Sequence, residues 1–408
     1  MKEDKSFKKP ELLAPAGDWI MLNAAINSGA DAVYFGVESL NMRAAAENFK
    51  LIDLPKIVEY CSENNVSTYL ALNTIVFENE LGSVDKIIRE AKKAGISMVV
   101  CWDHSVIKKC SDVGVPICVS TQASISNSEA ALFYQGLGAK RIVLARECTL
   151  DKIIEIKNKT DIEIETFIHG AMCIALSGRC FMSHEIFGKS ANRGECIQPC
   201  RREYEIIDTE EKYSMILGED YVMSPQDLCT IDFIDKLIDA RIDAFKIEGR
   251  KRSAEYISKV TSVYRKAIDG YFEGNLSGEF KKKATLELEK VYNRGFSSGF
   301  YFGVPGSESY AAIYGSKATT RKIYIGKILN YYKNKKVAFA RIEAGILNRT
   351  DSIYIMGNTT GVVELNAVKI MNDYKELDSA EKGAEITFAC AERVRANDKV
   401  YKIVKLEE

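Results

Sequence analysis

Four cysteines stand close together in a chain whose other thiols are scattered singly. Cys173, Cys180, Cys196 and Cys200 fall within 28 residues and are four of the 11 cysteines in the 408-residue sequence. The gaps between them are six, fifteen and three residues. Two of the three histidines, His169 and His184, share the stretch 165–204, and Arg201 and Arg202 follow the last cysteine. Thiols grouped this way serve a disulfide framework, a nucleophile or a metal. The N-terminus, MKEDKSFKKPELLAPAG, is polar and lysine-rich with no apolar core of a secretory signal, so a cytoplasmic location is expected. Disulfides are disfavoured in that reducing compartment. A nucleophile activated by His169 or His184 would account for one thiol, not four. Structural zinc sites usually use two short cysteine pairs, and only Cys196-x-x-x-Cys200 fits half of one. An iron–sulfur cluster takes four thiolates from a loop-rich segment. Spacing alone leaves zinc and iron–sulfur both open. Cys229, five residues after Ser224-Pro225, reads as a buried cysteine at a helix start.

The elements that must position these thiols come from the first two-thirds of the chain. Short apolar runs at 12–15, 32–36, 68–73, 97–101, 116–120, 141–145, 163–168 and 244–248 are candidate strands. Amphipathic stretches such as 18–27, 54–64, 83–93 and 231–240 lie between them. Small residues or glycine introduce several strands, as in Gly29-Ala30-Asp31 and Ala94-Gly95-Ile96. Near-continuous apolar strands alternating with helices mean a parallel sheet covered by helices. Eight such units favour an α/β fold of the TIM-like (β/α)8 barrel type, with its active face at the strand C-terminal ends. Those ends carry Asn73, Asp103, His104, Ser120-Thr121-Gln122, Arg146-Glu147, His169, Glu248 and Arg250. Asp103, His104 and Glu147 read most simply as caps or solvated loop residues.

From about Thr319 the texture changes. Segments 322–329, 336–342, 352–356, 361–365, 385–390 and 399–404 alternate or run β-branched between polar turns. A small C-terminal all-β barrel over 319–408 is expected, joined to the (β/α) barrel of residues 1–318 through a helical and then loop-like stretch at 255–309. Lys+Arg is 56 and Asp+Glu is 57, so an anionic partner would have to be met by local charge, not overall charge. No run approaches the roughly 18 apolar residues of a membrane-spanning helix. No HExxH motif of a metalloprotease occurs.

The cysteine stretch resembles a known family. Glu165-x-Phe167-x-x-Gly170-Ala171-Met172-Cys173-x4-Gly178-x-Cys180-x-Met182-Ser183 looks like the full signature of the U32, collagenase-like peptidase family. Leu13-Ala14-Pro15-Ala16-Gly17, the run from Gly29 to Gly36, Ser120-Thr121-Gln122, Ser224-Pro225-Gln226-Asp227-Leu228 and Lys246-Ile247-Glu248-Gly249-Arg250 look like the same family. The C-terminal β domain looks like the translation-factor-type barrel of the subgroup that acts on tRNA. That resemblance implies a 4Fe–4S cluster on Cys173, Cys180, Cys196 and Cys200. It implies hydroxylation of wobble uridine (U34) to 5-hydroxyuridine without molecular oxygen, with prephenate as the hydroxyl source. Other readings are a U32-type peptidase, a 23S rRNA hydroxylase and a non-catalytic RNA-binding factor. If all four thiolates hold a cluster, none remains as a nucleophile.

On this reading the cluster sits at the barrel mouth beside the base. Arg43, Lys246 or Arg250 would bind the carboxylates of a small dicarboxylate donor. Asn73 and Gln122 would contact the substrate. His169 is the first acid–base candidate, with Glu248 and Arg250 beside it. Arg193, Arg201, Arg202, Lys246, Arg250, Lys251 and Arg252 would contact the phosphates and the base of a tRNA anticodon loop. Phe167, Phe181, Tyr204, Phe296 and Phe300 would offer stacking faces to splayed bases.

Overall fold

Apolar runs buried on both faces give this chain its central barrel. The computed structural model describes residues 7–42, 44, 48–176, 179–202, 204–207, 209–210, 214–216, 223–249, 252–311, 315–366, 368–372 and 375–406. Eight parallel strands form the barrel: β1 (Glu11–Pro15), β2 (Ala32–Phe35), β3 (Ser67–Leu72), β4 (Met98–Cys101), β5 (Ile117–Val119), β6 (Ala139–Val143), β7 (Glu163–Ala171) and β8 (Ala244–Ile247). Each pairs with the next in chain order, and β8 also pairs with β1, which closes the ring. Every residue of β2, β4 and β8 is buried, as a sheet covered by helices requires. All eight expected strands are present.

The connecting helices follow local rules. The helix Leu81–Ala94 shows an apolar stripe of Val84, Ile87, Ile88 and Ala91. It ends at Gly95, whose φ of 83° allows the left-handed cap that turns the chain into β4. Asp103 caps the helix His104–Val113 by accepting from Ser105 N–H at 2.9 Å, the simple role expected of it.

Two features were not legible beforehand. β7 runs three residues past the expected strand end, so it carries the backbone out to Ala171, just before Cys173. A short strand, Asp227–Cys229, then pairs antiparallel with that extension, and Phe296–Ser297 pairs with it in turn. Together they raise one side of the barrel wall.

The C-terminal region is all-β. An antiparallel sheet of eight strands runs from Thr320–Tyr332 to Lys399–Lys405, with a two-stranded ribbon beside it. It has its own core, in which Val363 near one end of the ladder and Ile370 near the other take part. A third cluster joins the two regions through Ala24, Ala254, Tyr354 and Met356. Polar contacts reinforce this seam. Asn23 Nδ2 donates to Asn358 O at 2.8 Å, and Lys259 lies between Glu287 at 2.9 Å and Glu364 at 2.8 Å. Among the described residues no helix is long and apolar enough to cross a membrane.

Candidate active site

A buried ion network forms the floor of the site. Glu165 on β7 is fully buried and accepts from Lys246 Nζ on β8 at 2.7 Å. Arg141 on β6 lies 3.5 Å from the other oxygen of Glu165 and also pairs with Glu11 at 2.6 Å and Glu163 at 2.7 Å. Burial alone would lower the Arg141 guanidinium, but Glu165 and Glu11 outweigh it and hold it above its ordinary value. Lys246 Nζ also sits over the Tyr34 ring, 4.4 Å from its centre.

Above this floor a cavity opens at the C-terminal ends of the strands. Asn73, Gln122, Arg146, Phe167, Lys246 and Glu248 line it from the barrel side. Cys173, Cys180, Cys196 and Cys200 line it from the loop side. The expected barrel-mouth placement of the four cysteines is therefore what the fold produces. They differ from all the other thiols except the partly exposed Cys229. Cys61, Cys101, Cys110, Cys118, Cys148 and Cys390 are buried, whereas Cys173 is exposed and the other three are partly exposed. Burial pushes the Cys200 thiol up to about 11 against the pull of Arg201, with Cys173, Cys196 and Cys180 all close enough to act on it. Among the described residues no three Cys, His, Asp or Glu side chains converge on one point as a single metal ion would require.

Two arginines staple the cysteine segment to the barrel. Arg193 reaches Ile75 O at 2.7 Å and forms a paired contact with Glu80 at 2.8 and 2.5 Å. Arg201 donates to Met172 O, to Pro225 O at 2.6 Å and to Ser224 Oγ at 3.0 Å. It thus fixes Cys200 and the neighbour of Cys173 in one frame. Burial, then the like charge of Arg294, pull this guanidinium below its ordinary value. Arg201 was expected to bind substrate phosphate; its guanidinium instead bonds two backbone carbonyls and the Ser224 hydroxyl. Arg252 is likewise committed, to Asp227 at 3.2 Å and the Tyr292 ring at 3.9 Å. Inside the segment, Cys180 N–H donates to Asn192 Oδ1 at 3.0 Å, and Ile197 N–H donates to Ser183 Oγ at 3.3 Å.

Gly194 completes the seal. Its φ is 87°, and a Cβ there would lie 2.3 Å from Asn41 O. Gly194→Ala is expected to push the loop off the barrel and cost at least about 1–3 kcal/mol through backbone strain. Urea unfolding of the purified variant measures this; a loss within about 0.5 kcal/mol, the range of an ordinary surface change, would contradict it.

His169 is not where the sequence placed it. β7 and β8 slip register between the pairs Lys246–Phe167 and Ile247–His169, which leaves Ile168 as an extra residue. The bulge turns His169 away from the cavity. The ring is 1% exposed and packs among Tyr256, Tyr264 and Phe296. Its Nδ1 is 3.3 Å from Tyr264 Oη. Burial, aided by Arg252, lowers its pKa to about 3. A neutral, enclosed histidine is a packing residue, and the acid–base role expected of it is withdrawn.

A pH test follows. The unfolded chain protonates this histidine near pH ~6.5, while the folded chain resists until about pH 3. The folded state therefore keeps full stability above pH ~6.5 and loses roughly 1.4 kcal/mol per pH unit as pH falls below it. His169→Asn should flatten that acid limb in denaturant titrations between pH 7 and pH 5. An unchanged slope would mean the ring is accessible.

The remaining expected residues divide as follows. Asn73 Oδ1 accepts from Met42 N–H at 3.1 Å, and its Nδ2 is 3.3 Å from Ser120 Oγ, which in turn donates to Gln122 Oε1. Arg202 is exposed and lies over the Phe187 ring at 4.5 Å. Arg43, Arg250 and Lys251 lie outside the described residues. Cys229 does not line the cavity; burial pushes its thiol up to about 12 beside Tyr264. Phe296 packs on His169, and Phe300 lines a separate small cavity. Arg146, noted on the rim but given no role there, also lines the cavity. Arg146 stacks on Phe167 at 4.1 Å, donates to Ala171 O at 2.6 Å and lies 3.9 Å from Glu248. Its place at the end of β6 was the available signal.

The model of Peptidase family U32 matches residues 17–311, a span that holds seven of the eight barrel strands and the whole cysteine segment. The chain belongs to peptidase family U32. A collagenase of Porphyromonas gingivalis is 40% identical over 98% of this chain and 99% of its own. The tRNA hydroxylation protein P1 of Bacillus subtilis is 36% identical, covering 93% of this chain and 91% of its own. The 23S rRNA 5-hydroxycytidine C2501 synthase of Escherichia coli is 35% identical over 72% of this U32 chain, which spans 46% of that protein. The family resemblance read from the signature is thus shown, while relatives of similar identity carry different activities in their names.

Proposed function

We propose that this U32 protein hydroxylates RNA, and that its substrate is the wobble uridine (U34) of tRNA, converted to 5-hydroxyuridine without molecular oxygen. The observation that carries this reading is the shared cavity: four thiols face Lys246, Arg146 and Glu248 at the mouth of one barrel. The names of the B. subtilis and E. coli relatives support RNA hydroxylation. Cys173, Cys180, Cys196 and Cys200 would hold a 4Fe–4S cluster. Four thiols lining one cavity supply the ligand count that a 4Fe–4S cluster needs. When bound, the cluster supplies the redox chemistry that no side chain here provides.

The chain's own groups would do the positioning. Lys246 and Arg146, with Arg43 and Arg250, are the cations for a dicarboxylate donor, with prephenate the proposed one. Asn73 and Gln122 orient the substrate through amide hydrogen bonds. Glu248 lines the cavity and is 9% exposed. It takes the place first given to His169 as the group that moves a proton at the uracil ring.

Nucleoside mass spectrometry of total tRNA tests the reading. A deletion strain is expected to lack 5-hydroxyuridine derivatives and to regain them with the wild-type gene. Unchanged tRNA, in a strain without a second U32 gene, would overturn it. The collagenase name of the P. gingivalis relative favours a second reading, a peptidase. That reading requires protein cleavage that survives iron removal.

A further inference from the structure

The rim of the cavity shows an unusual surface. In the run after Cys173, the large apolar side chains Ile174, Leu176, Phe181, Ile186 and Phe187 are all exposed. Phe181, next to the cavity-lining Cys180, is 70% exposed. Exposed large apolar side chains gathered along one segment are what a recognition surface would use. Arginines are interleaved with the rings. The Arg202 guanidinium lies 4.5 Å from the Phe187 ring centre. Arg179 lies 6.0 Å from that of Trp102, whose indole N–H donates to Asn73 O at 3.0 Å. Both arginines are exposed, and neither forms an ion pair among the described residues. Arg193, which lies over Phe77, is by contrast neutralised by Glu80.

We propose that this rim is a stacking platform for unpaired RNA bases, with Phe181 as the central face and Arg179 and Arg202 as the phosphate-facing cations. The inference rests on the RNA reading above and adds the binding mode and the residues that set it. Charge complementarity selects the occupant. Exposed rings beside guanidiniums that form no ion pair among the described residues match bases strung on a phosphate chain. A duplex hides its base faces, so the platform discriminates for a single-stranded loop. A purely apolar protein surface would leave both guanidiniums without a counter-charge.

Fluorescence anisotropy of the anaerobically purified full chain tests this. The probes are a labelled RNA hairpin with an open loop and the same strand annealed to its complement. Phe181→Ala is expected to weaken hairpin binding roughly tenfold, the usual scale for one lost base stack. Phe181→Tyr keeps the ring and should restore it. Arg179→Ala with Arg202→Ala should flatten the salt dependence by about 0.7 in log–log slope per lost phosphate contact. Iron content and thermal unfolding are measured on each variant, so that a damaged fold or loop is recognised and the Phe181→Tyr comparison decides. Equal binding of hairpin and duplex, or wild-type affinity in Phe181→Ala, overturns the platform. So does a Phe181→Ala protein that keeps RNA binding but loses a co-purifying protein. The two readings fail separately. Phe181-dependent hairpin binding with unchanged tRNA in the deletion strain sinks the hydroxylase, not the platform.

Discussion

Cys196→Ala protein, purified without oxygen, is expected to carry little iron and to leave wobble uridine unmodified in the deletion strain. Wild type should bind about four iron atoms per chain and absorb near ~400 nm, as sulfur-to-iron charge transfer requires. The effect is large because Cys196 is one of four thiols on one cavity wall, and Ser183 Oγ lies 3.9 Å from its sulfur. If the four thiols hold a cluster, removing one of them would leave it one ligand short. Cys61→Ala is the control. That thiol is fully buried in the helix Leu54–Glu63, away from the cavity. It should lose some stability and no iron. Equal iron in Cys196→Ala and wild type would remove the cluster from the cysteines. Loss of iron with intact tRNA modification would separate the cluster from the reaction.

Glu165→Gln is expected to cost about 3–5 kcal/mol of folding stability, the scale for removing one partner of a buried ion pair. The side chain is 0% exposed and its partner Lys246 is 5% exposed, so solvent screening gives little relief. Arg141 keeps Glu11 and Glu163, but Lys246 would retain only the Tyr34 and Phe167 rings among these contacts. An uncompensated ammonium in the barrel floor is the main penalty. Denaturant unfolding measures it. Combining Glu165→Leu with Lys246→Met should recover most of the loss, because the desolvation cost of both charges disappears together. A single-variant loss below about 1 kcal/mol would mean that water reaches the pair and that it behaves as a surface ion pair. The same pair places Lys246 at the cavity, so the double variant should fold and yet fail to modify tRNA.

The network explains a conflict in the site. Lys246 was expected to be a substrate cation, and it does line the cavity. Yet its 2.7 Å partner Glu165 offsets its charge. Arg146 has a weaker counterpart in Glu248, 3.9 Å away. Arg146 therefore has more capacity to meet an incoming carboxylate, and the two cations together outnumber what either offers alone.

The sequence by itself determined the barrel strands, the all-β character of the C-terminal region and the grouping of four thiols on a segment after β7. Those are local properties. Buried parallel strands must be apolar throughout, helix ends need small or left-handed residues, and a run of thiols is visible whatever it does. The family also followed from the resemblance to its signature, which is a contiguous stretch of the chain. What only the tertiary structure decided was the direction of individual side chains. One extra residue, Ile168, flips His169 from the cavity to the helix Ala254–Phe272, since side chains alternate along a strand and a single-residue slip reverses them. Adjacent arginines part company in the same way: Arg201 is spent on Met172, Ser224 and Pro225, while Arg202 stays outside over Phe187. Such partners lie tens of residues away in the chain, so no spacing rule reaches them. Closure of the barrel is what brings Glu165 to Lys246 and sets four thiols around one cavity.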